Sequence, residues 1–398
     1  MTSHQVGKDE FKVVNAERVS EQDAIYTNVH NMTIFECSVN TFKALMEEAG
    51  ANNALETIKP YIKMGGKWYV DLAFQRFGPQ KSDVEAVAMP YYWCHCGTSN
   101  GHIKPMEIRE GKAIIELNAC PTMVTGGPPE ICVAMSHYLS EGISEAANPA
   151  YEYVFTHHLA NGDDCCRYIV KKKSDKFSLD NLGKLEKTIP LDLEQAEMDT
   201  LTEGVAFGTL SLFTLASLDA IGSQRLLNKA IPAARDTGLK FGTKLKRDIG
   251  GRTDLEILRD RLDCVCCPAS QTVSPALITE IGIEKEITEC PFRPLLPPNW
   301  PTASPLPEVC MQLEEVSRGL CEAMSPDYEF AFDRMMSKGD ITCHWIIKKK
   351  ETPEEKPKES TTSDDPARML AMRFAKGEIS QEEFDKSMEL LKKHKVVK

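Results

Sequence analysis

A long internal repeat constrains the fold of this chain more than any other feature, because two copies of one sequence pattern should adopt one fold. The sequence YEYVF at residues 151–155 returns as YEFAF 177 residues later. The same spacing relates Gly142 to Gly319, Glu145 to Glu322, Pro149 to Pro326, and Cys166 to Cys343. Earlier in each half the spacing is 170 to 172 residues, as for Cys94 and Cys264, Cys96 and Cys266, Cys120 and Cys290, and Gly50 and Gly222. The sequence therefore predicts two diverged copies of one domain.

Hydrophobic spacing and turn residues predict that each copy is an α+β domain, built from helices, an antiparallel sheet, a helix and a β-hairpin. Gly50 separates two segments with helical spacing, and Gly162 offers the positive φ that a hairpin turn needs. The elements predicted for the first copy are helices over residues 39–48 and 53–62, strands over 85–92 and 113–117, a helix over 130–147, and hairpin strands over 151–156 and 166–171. The second copy repeats the last three over residues 308–324, 328–332 and 343–348.

The sequence predicts four regions along the chain. They are the first copy at residues 1–180, the second at 181–350, a disordered linker at 351–365 and a small helical hairpin at 366–398. The linker is charged and carries Pro353 and Pro357, a composition typical of a flexible spacer. Ser380 and Glu383 have the spacing of a capping box for the second short helix. So small a hairpin cannot bury a core of its own, so we expect it to contact a partner or to self-associate.

Charge and hydropathy narrow the class of protein. The formal net charge is −12, and an acidic surface disfavours general binding to nucleic acid. Residues 1–10 are polar and lack the apolar core of a signal peptide. The apolar run at residues 204–222 contains Asp219, which would be costly in lipid, so we interpret it as a buried helix rather than a membrane span. Without a secretion signal the 14 cysteines should be mostly reduced, and we expect a cytoplasmic protein.

Several side chains near the end of the first copy predict a zinc site. Cys132 lies in the first turn of a predicted helix, where free N–H groups and the helix dipole favour the thiolate. The predicted hairpin can bring His158 next to Cys166, which makes a soft-ligand cluster with Cys132 and with Cys165 or Glu152 as a fourth ligand. The alternative is that these are core thiols, because free cysteine is among the most buried residue types.

The second copy keeps only part of this pattern. Cys310 and Cys343 remain, but Met335 stands in the place of His158, so we expect no metal there. Other cysteines either line a pocket, as ligands or as a nucleophile, or share a core face. They are Cys94, Cys96 and Cys120 in the first copy and Cys264, Cys266, Cys267 and Cys290 in the second.

Four short motifs in the last third of the first copy carry a family resemblance. They are Cys120-Pro121, Pro129-Glu130-Ile131-Cys132, Asn148-Pro149-Ala150-Tyr151-Glu152-Tyr153 and Gly162-Asp163-Asp164-Cys165-Cys166. With them the chain resembles the family of L-2-amino-thiazoline-4-carboxylic acid hydrolase-like proteins, and residues 290–345 resemble it again, less completely. The resemblance implies hydrolysis of a C–N bond in a small cyclic amidine by a metal-bound or Glu-activated water. Under this hypothesis Glu152 and His157 are the candidates for proton transfer.

Two further resemblances concern ligand binding and assembly. The helix and hairpin resemble the 4-vinyl reductase sensor domain, in which cysteines and further ligands hold a structural zinc. Cys132 and Cys166 match ligand positions there, His158 falls where another cysteine is usual, and Phe155 replaces the acidic ligand. Leu370 and the sequence GEISQEEF at residues 377–384 resemble the SHOCT module of prokaryotic proteins. That resemblance implies a prokaryotic source and a tethering or oligomerising role for the C-terminal hairpin.

Three hypotheses of function remain at this stage. The chain is a hydrolase that opens a small sulfur- or nitrogen-containing ring, or a non-catalytic sensor or carrier that binds a hydrophobic small molecule with zinc as a structural ion. The third hypothesis is a scaffold that recruits a partner, or a second copy of itself, through the C-terminal hairpin. Zinc would help to separate the first two, because a structural site is closed by four protein ligands whereas a catalytic site keeps a position for water.

Overall fold

The computed structural model describes residues 29–78, 80, 82–179, 182–191, 193–251, 255–266, 276–280, 282–290, 292–293, 306–350, 380, 383–387 and 389. The described residues up to Lys349 form one compact unit, and those from Lys350 onward belong to a second. The first unit is α+β, with long helices and two antiparallel sheets, in agreement with the predicted fold class.

Three long helices open the first half of this unit: α1 (Val29–Ala49), α2 (Ala51–Phe77) and α3 (Asp83–Thr98). Then come β1 (Met106–Arg109), β2 (Lys112–Leu117) and the short helix α4 (Pro121–Val124). A helical run follows, made of α5 (Pro129–Cys132), a π-helical turn (Val133–Tyr138) and α6 (Leu139–Ala147). The half ends with β3 (Tyr151–His157), a 3₁₀ turn (Leu159–Asn161), β4 (Cys166–Lys172) and β5 (Leu185–Ile189). The predicted hairpin and the helices on either side of Gly50 are therefore confirmed.

The first sheet has the strand order β3-β4-β2-β1-β5. β2 and β4 pair antiparallel, with Leu117 opposite Cys166 and Ile115 opposite Tyr168. Side chains on a strand alternate between the two faces, so Cys166 and Tyr168 share a face with Val170. All three belong to the buried core, which places the start of β4 against the helices.

The second half follows with helices α7 (Gln195–Ile221), α8 (Ser223–Asp248) and α9 (Leu255–Cys266). Its later elements are β6 (Leu277–Thr279), β7 (Gly282–Ile287), α10 (Pro307–Met324), β8 (Tyr328–Arg334), a 3₁₀ turn (Met336–Lys338) and β9 (Cys343–Lys349). The second sheet has the order β6-β7-β9-β8, and its β7–β9 pair places Ile287 opposite Cys343. The predicted helix and hairpin of the second half are confirmed.

Helices of the two halves pack directly on each other, with α1 lying against α7 and α8. The rings of Phe42 and Phe213 lie 5.4 Å apart in this contact. The Asn40 amide donates a hydrogen bond to the Thr237 hydroxyl at 3.2 Å, and the Thr41 hydroxyl donates to Gln312 Oε1 at 3.0 Å. One cluster of buried side chains includes residues of both halves, so they share a core.

One described helical stretch, Thr200–Ile221 in α7, is long and apolar enough to cross a membrane by length and composition. However, 67% of the apolar window within it is buried inside the protein. Phe207, Leu210 and Phe213 on it are fully buried, as predicted for a core helix. Among the described residues, therefore, no strong membrane span is indicated.

The predicted strand at residues 85–92 is wrong, because this segment lies within helix α3. Ser82 caps the helix: its hydroxyl oxygen accepts a hydrogen bond from the Glu85 N–H at 3.4 Å and donates to the Glu85 carboxylate at 2.8 Å. Helix α3 contains Val84, Val87, Tyr91 and Tyr92, which are residue types enriched in strands, and its Pro90 is unfavourable inside a helix. Nearly every side chain of α3 is buried, so a polar face that would have revealed the helical period is missing.

The second unit is described at eight residues: Lys350, Ser380, 383–387 and 389. The Ser380 N–H donates to Glu383 Oε2 at 2.9 Å, and the Glu383 N–H donates to Ser380 Oγ at 3.3 Å. The predicted capping box is therefore confirmed. The predicted linker and the first helix of the hairpin lie outside the described residues.

Candidate functional site

A cavity of about 70 Å³ lies in the first half between the helices and the sheet. We call it the head cavity. Its walls come from α1, α3, the segment from Leu117 to Cys132, the π-helical turn, the 3₁₀ turn and β4, and Thr209 reaches it from α7 of the second half. The polar and sulfur-containing side chains on its wall are Ser38, His95, Thr98, Cys120, Thr122, Cys132, Met135, Ser136, His158, Cys166, Tyr168 and Thr209. The described lining residues include no Asp, Glu, Lys or Arg.

Three cysteines, Cys120, Cys132 and Cys166, converge on one wall of the head cavity and form what we call the thiol cluster. Burial raises the pKa of the Cys132 thiol well above its ordinary value, and negative charge on Cys120 or Cys166 would raise it further. Burial likewise raises the pKa of Cys166 to about 12, with Cys120 adding to the shift. The three thiols are therefore close neighbours that stay protonated near neutral pH.

Local structure fixes two of these sulfurs. Pro128 and Pro129 begin α5, so Cys132 ends its single turn and leads into the π-helical turn. The Leu159 N–H, at the start of the 3₁₀ turn, donates a hydrogen bond to Cys166 Sγ at 3.3 Å. Gly162 closes that turn at a φ of 89°, a conformation that favours glycine. The hairpin connection therefore holds Cys166 in place through its own backbone.

Two histidines contribute neutral imidazoles to the head cavity. Burial lowers the pKa of His95 to about 4, so its ring is uncharged at neutral pH. Its Nδ1–H donates to the Tyr91 carbonyl oxygen at 3.0 Å, which leaves Nε2 as an acceptor. Burial also lowers the pKa of His158, although Asp163 opposes the shift. The cavity thus presents lone pairs of nitrogen without a positive charge.

Aromatic rings surround these histidines. Tyr91 stacks on His95 with ring centres 3.9 Å apart, and Tyr168 lies 5.0 Å from Tyr91. On the other side, Phe155 packs between His137 at 4.0 Å and His158 at 6.0 Å. This packing keeps water away from the imidazoles, which is the physical cause of their lowered pKa values.

The donor set of the head cavity is chemically suited to zinc, which proteins bind through cysteine sulfur and histidine nitrogen. The thiol cluster and His158 provide those atoms. Within the described ranges, no three His, Cys, Asp or Glu side chains are already arranged as a metal site. Zinc binding would therefore require loss of thiol protons and a rearrangement of these side chains.

The other predicted site residues lie outside the lining of the head cavity. Glu152 Oε1 accepts a hydrogen bond from the ammonium of Lys171 at 2.7 Å. His157 Nδ1 forms a hydrogen bond with the Thr156 hydroxyl at 3.0 Å. Cys165 is buried, and its charged neighbours are Glu116, Arg167, Lys104 and Asp163. The structure thus brings together Cys132, His158 and Cys166, but places Glu152, His157 and Cys165 elsewhere.

Sequence reasoning grouped Cys120 with Cys94 and Cys96, whereas the structure groups it with Cys132 and Cys166. Cys94 and Cys96 are buried on helix α3, where residues two apart do not share a face. The repeat does not reveal this grouping by itself, because Cys94 and Cys96 also have counterparts in the second half, Cys264 and Cys266. Cys120, Cys132 and Cys166 all have counterparts in the second half, namely Cys290, Cys310 and Cys343.

Those counterparts also lie together, and we call them the second thiol cluster. Burial raises the pKa of Cys310 to about 12, with Cys290 and Cys343 adding to the shift. The Met336 N–H donates to Cys343 Sγ at 3.2 Å, as the Leu159 N–H does to Cys166. Met335, buried at the position that corresponds to His158, provides no imidazole.

The π-helical turn accounts for a discrepancy in the spacing of the repeat. Cys132 precedes Gly142 by ten residues, whereas Cys310 precedes Gly319 by nine. The extra residue of the first half is accommodated by the π-helical turn, while α10 is a regular α-helix at the corresponding place. Such turns are frequent at functional sites, and this one contributes Met135 and Ser136 to the cavity wall.

Comparison of the chain with protein-family models, with curated proteins and with solved structures gave no match, so the family resemblances inferred from its motifs stay predictions.

Proposed function

We propose that the first half of this protein binds a small uncharged molecule in the head cavity. The observation that carries the proposal is the cavity itself, whose wall combines apolar groups, thiols and neutral imidazoles without a described charged side chain. A charged ligand would lose its hydration there without gaining a partner, which is costly. Ligand sites of this kind are concave and largely apolar, with a few polar groups that fix orientation.

The acceptor on His95 favours a ligand with a hydrogen-bond donor. Its Nδ1–H is already bonded to the Tyr91 carbonyl, so Nε2 offers a lone pair to an O–H or N–H group of the ligand. A buried acceptor gains most when a ligand satisfies it. We therefore favour an alcohol or an amide, or an amine or amidine bound in its neutral form, over an ether or a hydrocarbon.

Zinc is a further part of the proposal. Cys120, Cys132, Cys166 and His158 would hold it. A bound cation would stabilise the thiolates against the burial that keeps these thiols protonated and, to a smaller extent, against their repulsion of one another. Zinc held by all four would act as a structural ion, and zinc held by three would supply a Lewis acid to the cavity.

A second candidate function is hydrolysis of a small cyclic amidine or thiazoline, which acts on a C–N bond. The observation that favours it is the neutral imidazole of His95 in a site shielded from bulk water. Such an imidazole can accept a proton from the water that attacks the ring carbon. The predicted proton-transfer residues Glu152 and His157 would have to act from outside the cavity lining, so this version gives the role to His95.

One experiment tests both candidates. The full chain, purified without chelators, is incubated with 2-amino-2-thiazoline at an alkaline pH at which much of the probe is uncharged, and binding is followed by ligand-observed NMR. Mass spectrometry after alkylation of free thiols then measures ring opening by water. Cleavage of the ring C–N bond gives S-carbamoylcysteamine, which has no free thiol, whereas cleavage of the ring C–S bond gives its isomer N-carbamoylcysteamine, which is alkylated. Binding without ring opening supports the binding module, and ring opening that is lost in His95→Phe supports the hydrolase. Failure of both this probe and a series of uncharged alcohols to bind would contradict the proposed function.

The zinc proposal has an adjacent pair of cysteines as a matched control. Elemental mass spectrometry of the wild type should give about one zinc per chain. Cys166→Ser should lose it, because Cys166 lies in the thiol cluster, whereas Cys165→Ser should keep it. Equal zinc content in both variants, or none in the wild type, would contradict the site.

We also propose that residues 1–180 and 181–350 are diverged copies of one domain. Three similarities support this: the hairpins β3–β4 and β8–β9, the two thiol clusters, and the N–H donors to Cys166 and Cys343. In this proposal the motif resemblance covers both copies, and the second copy has lost the imidazoles of the first. Its role is then structural, because it contributes Thr209 to the head cavity.

The C-terminal hairpin and the location of the protein complete the proposal. The capping box at Ser380 and Glu383 supports a short helix that tethers a protein partner or a second chain, as in SHOCT modules. The described cysteines are free thiols, which supports a reducing, cytoplasmic environment. Size-exclusion chromatography with light scattering, on the full chain and on a chain ending at residue 350, tests the oligomerising role. The same number of chains per particle in both samples would contradict it.

A further inference from the structure

A second, smaller cavity lies beside the head cavity. It has a volume of about 20 Å³ and is lined mainly by apolar side chains of α2, α6 and α7, among them Trp68, Leu139 and Leu212. Met135 and Thr209 line both cavities. We call the smaller space the tail cavity.

We propose that the ligand is an amphipathic molecule: an uncharged donor head lies beside His95, and a short apolar tail passes Met135 and Thr209 into the tail cavity. This inference rests on the proposed function and adds the class of ligand to it. It also assigns Met135, Thr209 and Gly208 as the residues that determine how long a tail is accepted.

The boundary between the cavities is made of groups that can let a tail pass. Met135 is unbranched and flexible, so it can change rotamer with little cost. It is half-buried and belongs to the π-helical turn, which inserts one residue relative to the second half. The Thr209 hydroxyl donates to the Val205 carbonyl oxygen at 2.8 Å, so its proton is already used within helix α7. Neither side chain requires a polar partner from the ligand.

The volumes set the length of the tail. A water-sized group needs roughly 10–15 Å³ of such space. The head cavity therefore has room for about five non-hydrogen atoms and the tail cavity for one or two more. We expect a ligand of about six or seven non-hydrogen atoms in a row, with the donor at one end.

Gly208 keeps the tail cavity open. A Cβ built on Gly208 would lie 3.6 Å from Trp68 Cζ3 and 3.9 Å from the Tyr69 hydroxyl oxygen, which is ordinary contact. Alanine therefore fits at this position, and a larger side chain would occupy the space that the tail needs. Gly208→Leu is accordingly the variant that shortens the accepted ligand.

Unbranched primary alcohols from ethanol to octanol provide the probe series, because they share one uncharged O–H donor and differ only in tail length. Affinity is measured by ligand-observed NMR. The indole N–H signal of Trp68, identified with Trp68→Phe, reports entry into the tail cavity. In the wild type each added carbon should tighten binding about fourfold until the chain fills both cavities, after which affinity should level off. Only the longer alcohols should shift the Trp68 signal.

Variants separate this inference from the proposed function. In Gly208→Leu the gain in affinity per added carbon should stop one or two carbons earlier, while the affinity for the shortest alcohols stays the same. His95→Phe should weaken the binding of alcohols of every length by a similar factor. If Gly208→Leu does not fold, Met135→Phe provides the same test at the boundary. If short alcohols bind, but neither the dependence of affinity on chain length nor the Trp68 signal changes in these variants, the inference of a tail cavity is overturned and the proposed function is not. Absence of binding for every alcohol and for 2-amino-2-thiazoline would overturn the proposed function as well.

Discussion

Gly66 on α2 and Gly142 on α6 face each other where these helices cross, so closely that neither position has room for a side chain. A Cβ built on Gly66 would lie 3.1 Å from the Gly142 Cα and would overlap the Leu139 carbonyl oxygen. A Cβ built on Gly142 would overlap the Lys63 carbonyl oxygen. Gly238 and Gly319 form the same kind of pair between α8 and α10. These glycines set the distance between the helices that support each thiol cluster.

This contact predicts that Gly142→Ala destabilises the protein. Because the added methyl group meets backbone rather than a movable side chain, the helices must separate, which should lower the free energy of unfolding by about 1–3 kcal/mol. Urea unfolding followed by circular dichroism measures the change. Gly208→Ala is the control, since its Cβ meets nothing closer than 3.6 Å. Equal stability of the two variants would show that the close contact is not as tight as described.

The helix crossing also shows what the sequence could and could not predict. The pairing of Gly142 with Gly319 in the repeat was visible, as were the hairpins and the helix before each of them, because turn residues and apolar periodicity mark them locally. The contacts of Gly142 with Gly66, and of Thr209 with the head cavity, were not visible. They join residues far apart in the sequence, and no local pattern encodes such a contact.

The error at α3 had a consequence for the site. A helix that is buried on nearly all sides has no polar face, so its period is hidden, and its valines and tyrosines resemble those of a strand. With that segment taken as a strand, Cys94 and Cys96 were predicted to share a face, and Cys120 was grouped with them. The correct helix separates Cys94 from Cys96 and provides His95 to the head cavity.

His95 predicts how stability depends on pH. Its pKa is about 4 in the folded protein and about 6.5 in an unfolded chain, so the unfolded state binds more protons between these values. Stability should therefore fall as the pH is lowered from about 6.5 to about 4, and His95 alone should account for about 1–3 kcal/mol. Urea unfolding at pH 7.0 and pH 4.5 measures this loss. His95→Gln should lose less stability than the wild type over that interval, and an equal loss would contradict the low pKa.

Lys171 and Glu152 predict a structural role for Glu152. The Lys171 side chain is 5% exposed, and its ammonium also donates to the carbonyl oxygens of Lys172 and Asp175. Glu152→Gln would leave the buried ammonium of Lys171 without its carboxylate partner, which should lower the free energy of unfolding by about 1–3 kcal/mol. Ligand affinity and any ring opening should not change, because Glu152 lies outside the lining of the head cavity.

The matching ion pair of the second half is the control for this variant. Lys348 and Glu329 lie 3.2 Å apart, and both side chains are about half exposed, at 48% and 47%. Exposed pairs contribute little, so Glu329→Gln should change stability by less than about 0.5 kcal/mol. A loss of ring opening in Glu152→Gln without a loss of stability would instead support the proton-transfer role inferred from the sequence.

The two thiol clusters differ at one position that can be exchanged. His158 follows β3, and Met335 follows the corresponding strand of the second half, β8. The N–H of each donates to an aspartate of its turn, at 2.7 Å to Asp163 and 2.6 Å to Asp340. If the imidazole completes a zinc site beside the thiol cluster, His158→Met should reduce zinc from about one per chain to none. Met335→His should raise it to about two, because Cys290, Cys310 and Cys343 already lie together. Elemental mass spectrometry counts the metal, and circular dichroism confirms that both variants are folded. Unchanged zinc in both variants would mean that the imidazole does not bind the ion, whereas zinc lost only from His158→Met would show that the second thiol cluster needs more than a histidine.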